Sequence, residues 1–143
     1  QTVISGEEGK VKNAIVLLKE KGVRIVKPLT VAGAYHSRLM ADAEKKFAAC
    51  LEDVELSSPA FPVAQNYVGK LIEDPVQIKG NIIKQVTGTV QWVDCVKAMT
   101  SIGIDTVIEF GPGAVLTSLS KKIDASITGI NINNVETAEG FSI

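Results

Sequence analysis

With 143 residues, 45% of them hydrophobic, and a mean hydropathy of +0.20, the chain holds enough apolar mass for the core of one domain and too much for a disordered tail. Its 15 Lys and Arg against 16 Asp and Glu leave a net charge of −1, so the basic stripe of a nucleic-acid binder is missing. No apolar stretch approaches the roughly 20 residues that span a bilayer, and Gln1-Thr2-Val3-Ile4-Ser5 has no basic region ahead of an apolar one; no nucleic acid, no membrane and a soluble, cytoplasmic protein are expected.

Thr2 to Ile4 is the first strand candidate, closed at once by Ser5-Gly6-Glu7-Glu8. Ser5 and Glu8 stand at capping-box spacing, and Val11, Ala14, Ile15 and Leu18 recur at helical intervals, which predicts a helix over residues 7–21 that stops at Gly22. Residues 23–31 are β-branched enough for a strand, so the chain opens as strand, helix, strand. Leu39, Met40, Ala43, Phe47, Cys50, Leu51 and Val54 mark one face of a second helix over residues 37–54, with His36 at its N-terminal edge. Residues 57–62 read as a loop, and 62–66 as a short strand running into a turn that Asn66 caps or ties.

Two more helices are predicted over residues 76–86 and 90–99, the first interrupted by Gly88. In the second, Trp92 is expected as a core anchor whose indole N–H bonds backbone. Residues 106–110 read as a buried strand that feeds Gly111-Pro112-Gly113 and then a helix from Ala114. A last strand over 127–130 leaves residues 131–143 as a frayed tail.

The chemistry concentrates at one place. His36 is the only histidine and lies in Gly33-Ala34-Tyr35-His36-Ser37-Arg38-Leu39-Met40, and imidazole is the side chain that titrates near neutrality without help. No Gly-x-Ser-x-Gly turn is present to expose a serine nucleophile, so a catalytic His36 has no obvious partner among these residues, and the pattern reads as half of an active site. Cys50 and Cys95 are too few for a disulfide framework and, with one histidine, too few for zinc; both are expected as buried, reduced thiols. The strand, glycine turn and helix around Gly111 make a potential anion site, but no phosphate-loop lysine or dinucleotide fingerprint accompanies them, and close strand-to-helix packing is the better account. Arg24 and Arg38, the only arginines, are expected in surface ion pairs or helix-start contacts.

Five separated stretches taken together resemble one family. Val3-Ile4-Ser5-Gly6, then Gly33-Ala34-Tyr35-His36-Ser37 with Leu39-Met40, then Pro62-Val63 with Asn66, then Gln85 followed by Val90-Gln91-Trp92, then Glu109 with Gly111-Pro112-Gly113 and Val115-Leu116 are similar, in order and spacing, to the C-terminal half of malonyl-CoA:acyl carrier protein transacylases.

The resemblance implies an acyltransferase that moves malonyl from coenzyme A to the phosphopantetheine thiol of acyl carrier protein through a malonyl-serine intermediate. The family's histidine, the general base and acid, maps onto His36, and the main-chain carbonyl that orients it maps onto Gln85. Tyr35 stands where the family usually has phenylalanine, as a wall of the acyl pocket. The serine, the arginine that holds the malonyl carboxylate and the oxyanion-hole glutamine would lie N-terminal to this segment, so the missing N-terminal half of the same enzyme is an implied partner. No metal or redox cofactor is implied, and malonyl-CoA enters as substrate. The implied α/β fold is an α/β-hydrolase-like domain with a ferredoxin-like subdomain: residues 1–31 as the second half of the subdomain, 32–130 as the C-terminal part of the main domain, 131–143 as a flexible tail. Two other classes fit the same residues: a ferredoxin-like binding module with a structural His36, and a scaffold that kept the architecture without the chemistry.

Overall fold

A computed structural model describes residues 1–141, so of the predicted tail only Ser142 and Ile143 lie outside the described residues. Helix α1 (Glu8–Glu20) matches its prediction, and Gly22 ends it at φ 84, a conformation open to glycine at no steric cost. Its N-cap is Glu7, with no side-chain cap bond, rather than the Ser5 box expected. The flanking segments 2–4 and 23–31 are not strands. Their β-branched composition suits a sheet, but a strand exists only where a partner takes its backbone groups, and none lies beside them among the described residues.

The long helix expected over 37–54 is shorter and starts differently. Ser37 caps a 3-10 turn (Arg38–Met40) by accepting from Leu39 N at 3.3 Å, and α2 (Ala41–Cys50) follows. No residue of α2 is buried, and Cys50 is exposed, contrary to the buried thiol expected. Lys79 holds the end of the segment by donating to the carbonyls of Glu52 (2.9 Å) and Val54 (2.8 Å).

An antiparallel hairpin comes next, β1 (Val63–Gln65) with β2 (Lys70–Ile72), in the register Val63↔Ile72. Asn66 ties its turn to the rest, since Gln91 N donates to Asn66 O at 2.8 Å. Helix α3 (Pro75–Lys84) starts on an Asp74 cap, whose carboxylate accepts from Val76 N at 2.9 Å, with proline at the first position, where its missing N–H costs nothing. Helix α4 (Trp92–Ser101) carries the deepest side chains, Cys95 and Val96, both 0% exposed. Burial raises the Cys95 thiol above its ordinary pKa, with the Asp94 charge adding to it, so Cys95 is a packing residue. The Trp92 indole N–H, expected to bond backbone, is buried without a partner among the described residues.

The C-terminal third is a strand-helix-strand unit. Strand β3 (Thr106–Phe110) pairs in parallel with β4 (Thr128–Ile132), from Thr106↔Thr128 to Phe110↔Ile132, and α5 (Val115–Ile123) connects them. The helix lies close on β4, because a Cβ at Gly129 would stand 3.0 Å from that of Thr117. Ile78, Cys95, Val96, Thr117, Ser120, Ile127 and Ile132 are the buried centre, so the core sits where α3, α4 and α5 meet the strands. The tail is ordered where fraying was expected: β4 runs to Ile132, and α6 (Val135–Glu139) is closed by a reciprocal box between Asn134 and Thr137. Asn at an N-cap with a hydroxyl three residues on is the sequence signal for that helix start.

At the start of α5 the free N–H groups are met by the chain itself. The half-buried Glu109 carboxylate, seven and eight residues upstream, accepts from Leu116 N (3.2 Å), Thr117 N (2.9 Å) and Thr117 Oγ1 (2.9 Å). The Thr117 N–H foremost, with the other donors, holds the Glu109 carboxyl below its ordinary range.

Three stability outcomes are expected. A depressed carboxyl pKa stabilises the fold fully above its ordinary value of 4.5 and loses that contribution as pH falls through the folded value. Glu109→Gln should therefore lower the thermal midpoint above pH 4.5, and the gap to wild type should close on further acidification. In urea denaturation, Gly88→Ala should destabilise by about 1–3 kcal/mol, since a Cβ there would overlap the Tyr67 ring and lie 2.8 Å from Lys84 O. Gly80→Ala, inside α3 with nothing within 4 Å, should instead stabilise by about 0.5–1 kcal/mol.

Candidate active site

His36 stands at the junction between the irregular segment after α1 and the 3-10 turn that opens α2. Its φ of 59 makes it the one non-glycine residue with positive φ among those described, a conformation in which Asn, Asp and His are enriched but which remains uncommon. Ser37 holds the bend that follows: its hydroxyl donates to Ala34 O at 2.7 Å and accepts from Leu39 N. That hydroxyl is committed on both sides and is no nucleophile for the neighbouring imidazole.

The far side of the site is the turn between α3 and α4. Helix α3 gives way to a turn at Gln85, where carbonyls no longer find an intrahelical donor. His36 Nδ1 lies 2.9 Å from Gln85 O and 3.2 Å from Gly88 O. Carbonyl oxygens only accept, so these contacts assign a proton to Nδ1, and in the neutral ring the lone pair is then on Nε2. The Gln85 side chain completes the cluster: its Nε2 donates to Gly88 O at 3.0 Å and stands 3.2 Å from Nδ1, while its Oε1 is buried without a partner among the described residues. The structure thus brings His36 and Gln85 together across 49 residues of sequence. An imidazole so held presents one basic nitrogen, a group able to take a proton from a hydroxyl or thiol and return it.

A cleft of ≈ 600 Å³ opens beside His36, walled by Ile4, Glu7, Val11 and Ala14 on one side and Ser37, Leu39 and Thr87 on the other. Glu7 ties the two walls, pairing with Arg38 across it and with Lys10 at 3.0 Å on its own side. Arg38 is thereby in a surface ion pair; its side chain is 76% exposed, a setting in which such pairs contribute little. Tyr35 is 49% exposed and stands outside the cleft lining.

Sequence reasoning does not reach Gly88 as an acceptor, nor Thr87, or Glu44 of α2 to which the Thr87 hydroxyl donates, at all. Gly88 has a signal, as the break in a helical period, but the partners of a turn carbonyl come from 52 residues away and leave no local pattern. The glycine loop 111–113, with φ of 118 and 90 at its two glycines, leads to a helix start already filled by Glu109, so no anion site remains there. Among the described residues no group of three or more His, Cys, Asp or Glu could hold a metal ion, and no helix is long and apolar enough to cross a membrane.

No protein-family model matches the chain. It is 33% identical over 142 residues to the malonyl CoA-acyl carrier protein transacylase of Staphylococcus aureus strain COL, covering 99% of this chain and 46% of that protein. The crystal structure of a malonyl-CoA:acyl carrier protein transacylase from Xanthomonas oryzae superposes with a TM-score of 0.87 at 32% identity, covering 94% of this chain and 43% of that one. A malonyl-transacylase solved in complex with its type II polyketide acyl carrier protein gives a TM-score of 0.86 at 32% identity, over 92% of this chain and 43% of the other. The chain spans about half the length of the curated relatives it matches. Sequence and fold therefore agree on one origin, and the chain is a homologue of the malonyl-CoA:acyl carrier protein transacylases, matching the C-terminal half of that family.

Proposed function

We propose that this chain supplies the histidine-bearing half of a malonyl-CoA:acyl carrier protein transacylase. Malonyl passes from coenzyme A to a serine contributed by residues outside this chain, and from there to the phosphopantetheine thiol of an acyl carrier protein. His36 takes the serine proton and returns it to the departing thiol of coenzyme A, and in the second transfer it takes the carrier's thiol proton and returns it to the serine. The proton acceptor is Nε2, since the carbonyls of Gln85 and Gly88 hold the proton on Nδ1. The single observation that carries this reading is the 2.9 Å contact between His36 Nδ1 and Gln85 O, supported by the homology over the whole span. It makes a dyad with a neutral main-chain orienter in place of a carboxylate.

On this reading malonyl-CoA is a substrate and no cofactor is needed. Acyl carrier protein is the second partner, as in the related transacylase complex, and the N-terminal half of the same enzyme is the third. The enzyme works in the cytoplasm, where its two substrates are soluble. Residues 1–31 are the second half of a ferredoxin-like subdomain and 32–130 the C-terminal part of an α/β-hydrolase-like domain. Of residues 131–143, expected as a flexible tail, the described ones extend that domain through β4 and α6. Tyr35 is retained as an acyl-pocket wall that acts once the complementary half encloses it.

Denaturing mass spectrometry after brief exposure of the purified protein to malonyl-CoA tests the reading. A malonyl adduct on the polypeptide that carries the serine is expected, and His36→Asn should lower transfer to acyl carrier protein by about 10²–10⁴-fold with little change in thermal midpoint, because asparagine also accepts positive φ. An unmodified 15.2 kDa species alone, or full turnover by His36→Asn, would assign the chain a binding or scaffold role instead. Competition between malonyl-CoA and methylmalonyl-CoA should show a changed preference in Tyr35→Phe; an unaltered ratio removes Tyr35 from the pocket.

A further inference from the structure

We propose that Glu44, on α2, is a positioning residue for His36: it grips the two residues that precede the acceptor carbonyls and so keeps the imidazole proton on Nδ1. The mechanistic consequence rests on the role proposed for His36 above; the geometry does not. Lys84 immediately precedes Gln85, and its Nζ donates to Glu44 Oε1 at 3.1 Å. Thr87 immediately precedes Gly88, and its hydroxyl donates to Glu44 Oε2. One carboxylate therefore holds the turn next to each of the two residues whose carbonyls reach the imidazole.

The turn is closed on its own side as well. Gly88 N donates to Lys84 O at 2.9 Å, and the Tyr67 ring packs so close that a Cβ at Gly88 would overlap it. Freed from Glu44, the Thr87 and Lys84 side chains have no other hydrogen bond among the described residues. The Glu44 carboxylate is held in a defined place, since its side chain is only 16% exposed, and the Thr87 hydroxyl, ahead of Lys84, keeps its pKa below the ordinary range. Helix α2 also continues directly from the 3-10 turn that begins after His36, so one rigid segment sets both the imidazole and its acceptors. A plain surface ion pair between Glu44 and Lys84 would explain one of these contacts and not the hydroxyl bond to Thr87.

The readout is the tautomer of His36, followed by long-range nitrogen-proton correlation spectra of the purified protein labelled with nitrogen-15 histidine, at a pH where imidazole is neutral. The His36 signals are identified by their loss in His36→Asn. Wild type should carry the proton on Nδ1. Thr87→Val and Glu44→Gln should each shift the ratio toward the Nε2 proton by about fivefold, the amount that one hydrogen bond of ordinary net strength supports. Thr87→Ser, which keeps the hydroxyl, should restore the wild-type pattern. In transfer assays the same two variants should lower kcat several-fold and leave KM for malonyl-CoA in place. A wild-type tautomer pattern in both Thr87→Val and Glu44→Gln overturns the proposal; where the valine variant does not fold, the isosteric Glu44→Gln decides alone. Failure of the transacylase reading would appear elsewhere, as undiminished transfer by His36→Asn, and would leave the tautomer result intact.

Discussion

A helix must dispose of its last carbonyls, and the end of α3 hands two carbonyl oxygens of the following turn to an imidazole. Gly88 O has a donor of its own in Gln85 Nε2 at 3.0 Å, and Gln85 O takes one from elsewhere in the chain. His36 brings it from 49 residues upstream, and in doing so has its tautomer chosen. Structural need and chemical readiness are the same hydrogen bond: what satisfies the turn is what leaves Nε2 basic. The approach requires a positive φ at His36, a strain of order 1–3 kcal/mol that persists only where its surroundings over-determine it.

The opposite kind of helix end is handled in the same way at α5. There the unpaired groups are donors, and the chain brings the Glu109 carboxylate from the end of β3 across the Gly111 to Gly113 turn. That choice decides a question of function. A glycine turn leading to a helix is an anion site only while its N–H groups are free, and here an internal anion has taken them. The glycines then serve geometry, giving the strand a sharp exit that lets its own side chain fold back onto the helix it precedes.

Legibility in the sequence follows the range of the interaction. Helix α1, strand β3 and its link to α5 are readable because their causes are local: apolar spacing, a glycine stop, a run of β-branched residues. The strands expected at 2–4 and 23–31 fail because composition states a preference and only a neighbour makes a strand. Helical periodicity places Cys50 inside, yet periodicity gives a face and not what covers it. His36 and Gln85 are legible through a family pattern, whereas Thr87 and Glu44 have no signal at all, since a bond across 43 residues is written in the fold and nowhere in the neighbouring sequence.

The exposure of His36 argues for function more than its burial would. A histidine kept for packing belongs in a core, and a turn that needs positive φ is made with less strain by glycine or asparagine. This one is exposed, strained, and held by two carbonyls at the edge of an open cleft. Large apolar side chains lie uncovered elsewhere, Ile25 at 77%, Phe110 at 74% and Val115 at 63%, and a parallel strand pair is ordinarily buried on both faces. On the proposed reading the complementary half covers them. On the same reading that half also closes over the cleft beside His36, and a lone pair that has been oriented in advance gains most when the medium around it is dry.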